Sequence, residues 1–389
     1  EMCIRDRKII ITFDKIAPDA LLTFTQFAPV PKSEFEGIDP LQVQQAPFFQ
    51  HPIGCGPFMV EEVNMKNYTI LAPFDKYYNG VADYKIQLLP SAGDSDPNVV
   101  TRAKSGNLDY GYTKMVADVQ ALEGTPGITV TPIDVRYTRL FYLNKFDKKD
   151  GSPAPLADVR VRQALRYAID METICETLFQ GSAVPANALA PDANLKGGDL
   201  NDYNYNPEKA KELLAEANWD PNTVIKAVYY YTDQATVDLM TAVQAYLADV
   251  GIKMEFELVE GDLATILWAA PADQTNGPRA VDWDICYAAN AALSLHEYYD
   301  RYRTGSPTNS HTPEDAELNR LIDATNASAD VNAQNEAFKE LIKYENENLF
   351  TMALYYQPIF LITSDKIGDI QKGTPQFCIN WDIQNWNVQ

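Results

Sequence analysis

The sequence predicts an α/β chain built on parallel strand–helix–strand units. The observations that predict it lie close together. An apolar strand at 224–231 is followed by an amphipathic helix at 235–250. A strand follows at 252–258, a helix at 262–270 and a strand at 284–289. That alternation is the mark of parallel units with right-handed crossovers. The third observation is length: 389 residues, at about 150 per domain, make roughly two to three domains.

Along the chain, the first pattern is the run Lys8-Ile9-Ile10-Ile11-Thr12-Phe13, a strand. Residues 1–7 carry no such pattern and read as extraneous, the chain being a fragment that lacks its native start. Residues up to 50 are irregular and rich in Pro and Phe. Strands are expected at 58–64, 67–72 and 84–89, and a helix from Asn98 to Lys104 that closes at Gly106. Further strands fall at 128–133 and 137–143. The charged stretch 145–155, with Gly151, Pro153 and Pro155, reads as a linker.

Beyond it the periodicity turns helical. Asp158 caps a helix whose stripe is Val161, Ala164, Leu165, Ala168 and Ile169. A second helix, 171–180, stops at Gly181, and 182–204 is a long loop. Asn206 caps the next helix, with Pro207 at its first position. In 252–258, Ile252, Met254, Phe256 and Leu258 alternate with charged residues, so this strand belongs near a sheet edge. Helices at 313–326 and 332–348 and strands at 351–356 and 359–363 lead to a tail containing Trp381 and Trp386.

Composition excludes several functions. The 32 basic and 54 acidic side chains leave a net charge of −22, the wrong sign for nucleic acid or an anionic membrane surface. The five cysteines (Cys3, Cys55, Cys175, Cys286, Cys378) form no CxxC and read as buried free thiols. GxSxG, Walker A and complete GxGxxG motifs are missing. His296-Glu297 fails as HExxH because Asp300 stands in the last place, so His296 reads as a surface residue. With three histidines a direct metal site is not expected, and no cofactor is. Asp282 and Asp284 flank Trp283 at the wrong end of their strand for a site and read as solvated.

Ligands of parallel sheets bind beyond the carboxyl ends of the strands. That rule selects Tyr230, Tyr231 and Thr232, then Glu260 and Gly261, then Ala289 and Asn290.

Five motifs in order carry a family resemblance. They are Pro52-Ile53-Gly54-Cys55-Gly56-Pro57-Phe58, with Cys55 where Thr is usual, and Ser105-Gly106-Asn107-Leu108-Asp109. Next come Arg160-Val161-Arg162-Gln163-Ala164-Leu165 with Ala168-Ile169-Asp170, then Tyr205-Asn206-Pro207 with Ala210, Leu213 and Leu214, and Leu247 through Gly251-Ile252. From about residue 8 onward the chain resembles family 5 of the extracellular solute-binding proteins, which serve ABC importers of peptides and nickel. The resemblance implies a two-lobe, periplasmic-binding-protein-like fold (class II type) with a hinge, the first lobe incomplete, and ligand held between the lobes. On that template residues 1–50 are a remnant of a small extra subdomain. Residues 51–144 with 364–389 are lobe one, and 145–363 lobe two.

It further implies a cleft lined by Ala289, Asn290, Ala291 and Leu293, with Tyr112 and Thr113 on the lobe-one wall and Tyr355 and Tyr356 at the hinge. Peptide-binding members place an aspartate where Leu293 stands here. No acid lies between Ile285 and His296, so a free-amine dipeptide is not the expected ligand. The implied partners are a peptide or other small polar solute and the transmembrane subunits of an ABC permease. The implied setting is extracytoplasmic, periplasmic or as a surface lipoprotein, with the protein a monomer. A hydrolase using a carboxylate pair, and a ligand-presenting co-receptor on the same fold, are the alternative readings.

Overall fold

A computed structural model describes residues 2–5, 8–25, 28–64, 66–91, 96–133, 138–190, 195–196, 199–290, 294–368 and 382–389. The chain divides into two compact units, Glu1–Leu21 with Arg136–Gln357, and Leu22–Val135 with Pro358–Gln389.

The first unit is built on a six-stranded mixed sheet. Its strand order is Lys253–Leu258, Val224–Tyr229, Ile285–Asn290, Thr138–Leu143, Thr351–Tyr356, Val184–Pro185. The first three strands are mutually parallel, as the strand–helix–strand pattern requires. Thr138–Leu143 then runs antiparallel between Ile285–Asn290 and Thr351–Tyr356. The alternating strand Lys253–Leu258 is indeed an edge.

Strand alternation sends side chains into two cores. Phe141, Leu143, Ile285 and Tyr287 face one side and meet Leu165, Leu213, Met240 and Leu247 of the covering helices. Leu140, Tyr142, Cys286 and Ala288 face the other and meet Leu267, Ile322, Phe338 and Leu341. Capping fixes where the helices begin. Asp158 accepts from the Arg160 N–H at 2.8 Å, Asn206 from Lys209 at 3.0 Å and Asp233 from Thr236 at 3.0 Å. Each such cap is worth about 1 kcal/mol.

The second unit holds two antiparallel sheets. In one, Ile359–Ser364 lies between Tyr110–Thr113 and Ile128–Ile133; in the other, Tyr68–Pro73 lies between Phe58–Asn64 and Ile86–Leu88. Val99, Ala103, Leu122 and Ile362 form its small core. Among the described residues no helix is long and apolar enough to cross a membrane.

Several expectations are corrected. The first division falls at 135/136, not 144, because Thr138–Leu143 pairs on both sides inside the first unit's sheet. The second falls at 357/358, within the hinge crossing expected near Tyr356 to Leu361 but ahead of the lobe-two end at 363, because Ile359–Ser364 pairs within the second unit. Residues 1–50 are shared between the units. Met2–Arg5, inside the stretch read as extraneous, pairs antiparallel with Lys8–Ile11. The loop expected at 182–204 contains the edge strand Val184–Pro185. Tyr110–Thr113, Val116–Leu122 and Leu295–Tyr299 were not anticipated.

Three side chains read as exposed or buried prove otherwise. Asp284 is fully buried and pairs with Arg279 at 2.6 Å, because Arg279, at 4% exposure, brings its guanidinium under the strand. His296 is buried, with Nδ1 2.6 Å from Asp19 and Nε2 3.1 Å from the Thr325 carbonyl. Cys55 is exposed, whereas Cys175 and Cys286 are buried free thiols; Cys3 and Cys378 carry no described side chain.

Candidate functional site

Three strands of the first unit point the same way and finish together. Val224–Tyr229 and Ile285–Asn290 are parallel, and Thr351–Tyr356 shares their direction because both flank the antiparallel strand Thr138–Leu143. Their carboxyl ends and the start of Thr138–Leu143 therefore meet at one rim. The register puts Ala289 and Tyr355 across from Arg139, and Asn290 and Tyr356 across from Thr138.

Tyrosines dominate this rim. Tyr230 and Tyr231 have ring centroids 4.4 Å apart and hydroxyls 3.0 Å apart. Tyr231 meets Tyr287 edge-on at 5.6 Å, and its hydroxyl accepts from the Ala289 N–H at 3.0 Å. The turn after one strand is thus tied to the end of the next. The Arg139 guanidinium lies 5.0 Å from the Tyr231 ring centroid, a cation–π contact that suits a desolvated site. Burial pushes the Tyr287 phenol up to about 12 and raises the Tyr230 phenol further. Both stay neutral hydrogen-bonding groups at physiological pH.

On the other strand Tyr356 donates its hydroxyl to the Ala188 carbonyl at 2.7 Å, and the Lys196 ammonium sits 4.2 Å from its ring centroid. The Asn290 Nδ2 is a buried donor without an acceptor among the described residues. Thr138 spends its hydroxyl on the Leu189 carbonyl at 2.6 Å. Two carboxylates at this end are tied into described helix starts: Asp233 caps Gln234–Asp249, and Asp262 caps Leu263–Trp268.

Of the residues selected from the sequence, the structure brings together Tyr230, Tyr231, Ala289, Asn290 and Tyr356. Tyr355 sits beside them but points into the core: its hydroxyl is 2.7 Å from that of Tyr287, and its ring packs on Phe179 at 4.5 Å. Tyr112 and Thr113 belong to the second unit. There the Thr113 hydroxyl donates to Asp118 at 2.7 Å and accepts from the Met115 N–H at 3.0 Å. Ala291 and Leu293 lie outside the described residues. Thr232, Glu260 and Gly261 are exposed. Sequence reasoning missed Arg139 and Lys196. A charge at the start of the apolar run Leu140-Phe141-Tyr142-Leu143 was the available signal for Arg139.

Aromatic walls with a few fixed polar groups at a sheet's carboxyl end make a small-molecule binding site. No group of three or more His, Cys, Asp or Glu side chains able to hold a metal ion occurs among the described residues. The family description "Bacterial extracellular solute-binding proteins, family 5 Middle" matches residues 4–312, and the chain belongs to that family. It is 27% identical over 274 residues to an oligopeptide-binding protein, AppA, of Bacillus subtilis, a match covering 64% of this chain and 46% of that protein. It is 29% identical over 172 residues to heme-binding protein A of Haemophilus influenzae, covering 44% of this chain and 30% of that one. The matches thus span about half the length of these relatives or less. The solved ABC transporter substrate-binding protein CtaP of Listeria monocytogenes has the same fold. It superposes with a TM-score of 0.80 at 19% identity over 97% of this chain and 75% of its own.

Proposed function

We propose that this chain is the solute-binding component of an ABC importer. It takes up a polar peptide or peptide-like solute at the carboxyl rim of the first unit's sheet and hands it to the transmembrane subunits of a permease. The work is done outside the cytoplasm, in keeping with a family described as extracellular. No bond is made or broken: solute arrives and leaves intact.

One observation carries this reading. Tyr230, Tyr231, Asn290 and Tyr356 come from three separate strands and converge on one rim, with buried hydrogen-bonding groups set among aromatic faces. The hydrolase alternative needs two carboxylates facing one another across a bond. Of the described carboxylates at this end, Asp233 is already bonded to Thr236 and Asp262 to Thr265, each at a helix start, and Glu260 is exposed. Aromatic area and a few polar contacts suffice for a dissociation constant of about 1 μM, about −8 kcal/mol.

The test is calorimetry on Tyr231→Ala and Asn290→Ala with the solute that co-purifies. Both variants should bind at least about tenfold more weakly, the worth of one lost polar or aromatic contact of roughly 1.4 kcal/mol. Unchanged affinity in both would remove the site from this rim.

A further inference from the structure

A second cleft, of about 390 Å³, opens in the first unit beside the tyrosine rim, with Lys196, which lies over the Tyr356 ring, in its lining. Its walls are the end of Val159–Ala168, the start of Met171–Thr177, the edge strand Val184–Pro185 and the segment Asp202–Tyr205. The volume lies within the range of small-ligand pockets.

Arg166 lines this cleft and is 4% exposed. Its guanidinium donates to the Tyr203 carbonyl at 3.2 Å and the Ala186 carbonyl at 3.3 Å, both long bonds. Its partners are both carbonyls, and Asp202 acts on it only through space, although buried guanidinium groups are ordinarily paired directly. Burial pulls its pKa down to about 10, against weaker opposing effects of Cys175, Tyr203 and Asp202.

An opposite deficiency lies next to these carbonyls in the chain. Asn187 donates Nδ2 to Asp202 at 2.7 Å, while its Oδ1 is buried with no donor among the described residues. So the cleft offers a buried cation and, separately, a free acceptor beside a carboxylate. A simple anion in this cleft would meet Asp170, Glu172 and Asp202; a simple cation would meet Arg166 and Lys196. A molecule carrying both charges answers both. Met171 and Pro185 supply apolar surface between them.

We propose that this cleft binds a zwitterion of amino-acid size with an apolar side chain. Its carboxylate sits on the Arg166 guanidinium, and its ammonium is shared by Asp202 and the Asn187 Oδ1. Carboxylate on guanidinium is the strongest pairing the walls offer. The site is separate from the proposed transport site, yet Val184–Pro185 pairs with Tyr355 and Tyr356, so it lies one strand away.

The test titrates the full chain with L-leucine, leucinamide and N-acetyl-leucine by calorimetry. L-leucine should bind, and each blocked analogue, lacking one charge, should bind at least roughly tenfold more weakly. Asp202→Asn should weaken L-leucine about tenfold and Arg166→Gln more. Tyr231→Ala should leave it unchanged. If Arg166→Gln fails to fold, exposed Asp202 and the two analogues still decide. The proposal falls if L-leucine does not bind at about 10 mM, or if N-acetyl-leucine equals it. It falls equally if Tyr231→Ala abolishes binding while Asp202→Asn leaves it intact, which would place the amino acid at the rim.

Discussion

Glutamine in place of Glu345 should make this protein more stable in alkali and leave it unchanged in mild acid. Glu345 lies on the Val331–Asn348 helix at 2% exposure. The Leu189 N–H donates to its carboxyl, but its Oε2 has no partner among the described residues. Lys145, the nearby cation, spends its ammonium on the Leu143 and Phe350 carbonyls at 2.6 and 2.8 Å. Burial therefore pushes the Glu345 carboxyl from its ordinary 4.5 up to about 8.

The sign follows from proton counting. Between these two values the folded state holds a proton that the unfolded chain has released. Stability must fall as pH rises, by about 1.4 kcal/mol per pH unit. Full development of that slope bounds the loss at about 5 kcal/mol. Burial also lowers the Lys145 pKa well below its ordinary value, which contributes a slope of opposite sign. The comparison of variant with parent, not the parent's profile alone, thus isolates Glu345. Glutamine keeps the acceptor for Leu189 and removes the titration. Urea unfolding midpoints at about pH 5 and about pH 8.5 should coincide at the lower value and diverge at the higher, with the variant ahead by a few kcal/mol. Parallel profiles across that window would refute the reasoning.

Other consequences can be checked on the same preparation. Asp284→Ala strips the nearer and buried one of two carboxylates from Arg279, leaving Asp282 at 3.4 Å, and removes the acceptor of the Lys226 N–H. It should cost about 3–5 kcal/mol in denaturant unfolding, whereas Asp282→Ala, whose exposed carboxylate meets Lys226 at 3.1 Å and Arg279 at a long 3.4 Å, should cost under about 1 kcal/mol. Among the three described thiols, a water-soluble disulfide reagent should modify Cys55 first, because burial pushes the Cys175 thiol up to about 12 and the Cys286 thiol higher. Faster labelling of Cys286 in the native protein would contradict the buried placement.

Much of the first unit could be read directly from residues because its signals are local. The caps Asp158 and Asn206, the stripe from Val161 to Ala168 and the alternation in Lys253–Leu258 each occupy a few neighbouring positions. The rule of carboxyl strand ends then sufficed to select Tyr231 and Asn290. What escaped depends on distant pairing. Thr138–Leu143 is buried throughout, so it shows no alternation, and nothing local says that it lies between Ile285–Asn290 and Thr351–Tyr356. His296 looked solvent-facing because its partner, Asp19, comes from the far end of the chain. Asp284 looked solvated because Arg279 precedes the strand in an irregular segment. The second cleft was invisible for the same reason: Arg166, Asn187 and Asp202 share no period, and only the folded chain brings them to one cleft.

The central claim concerns a guest that is held and then released unaltered. Its most direct test is mass spectrometry of the solute bound to the purified protein, compared with the same solute recovered after prolonged incubation and denaturation. The account predicts a stoichiometric complex with a peptide-like molecule and an identical mass on release. A recovered molecule that has been cleaved, oxidised or otherwise changed by the protein would contradict it.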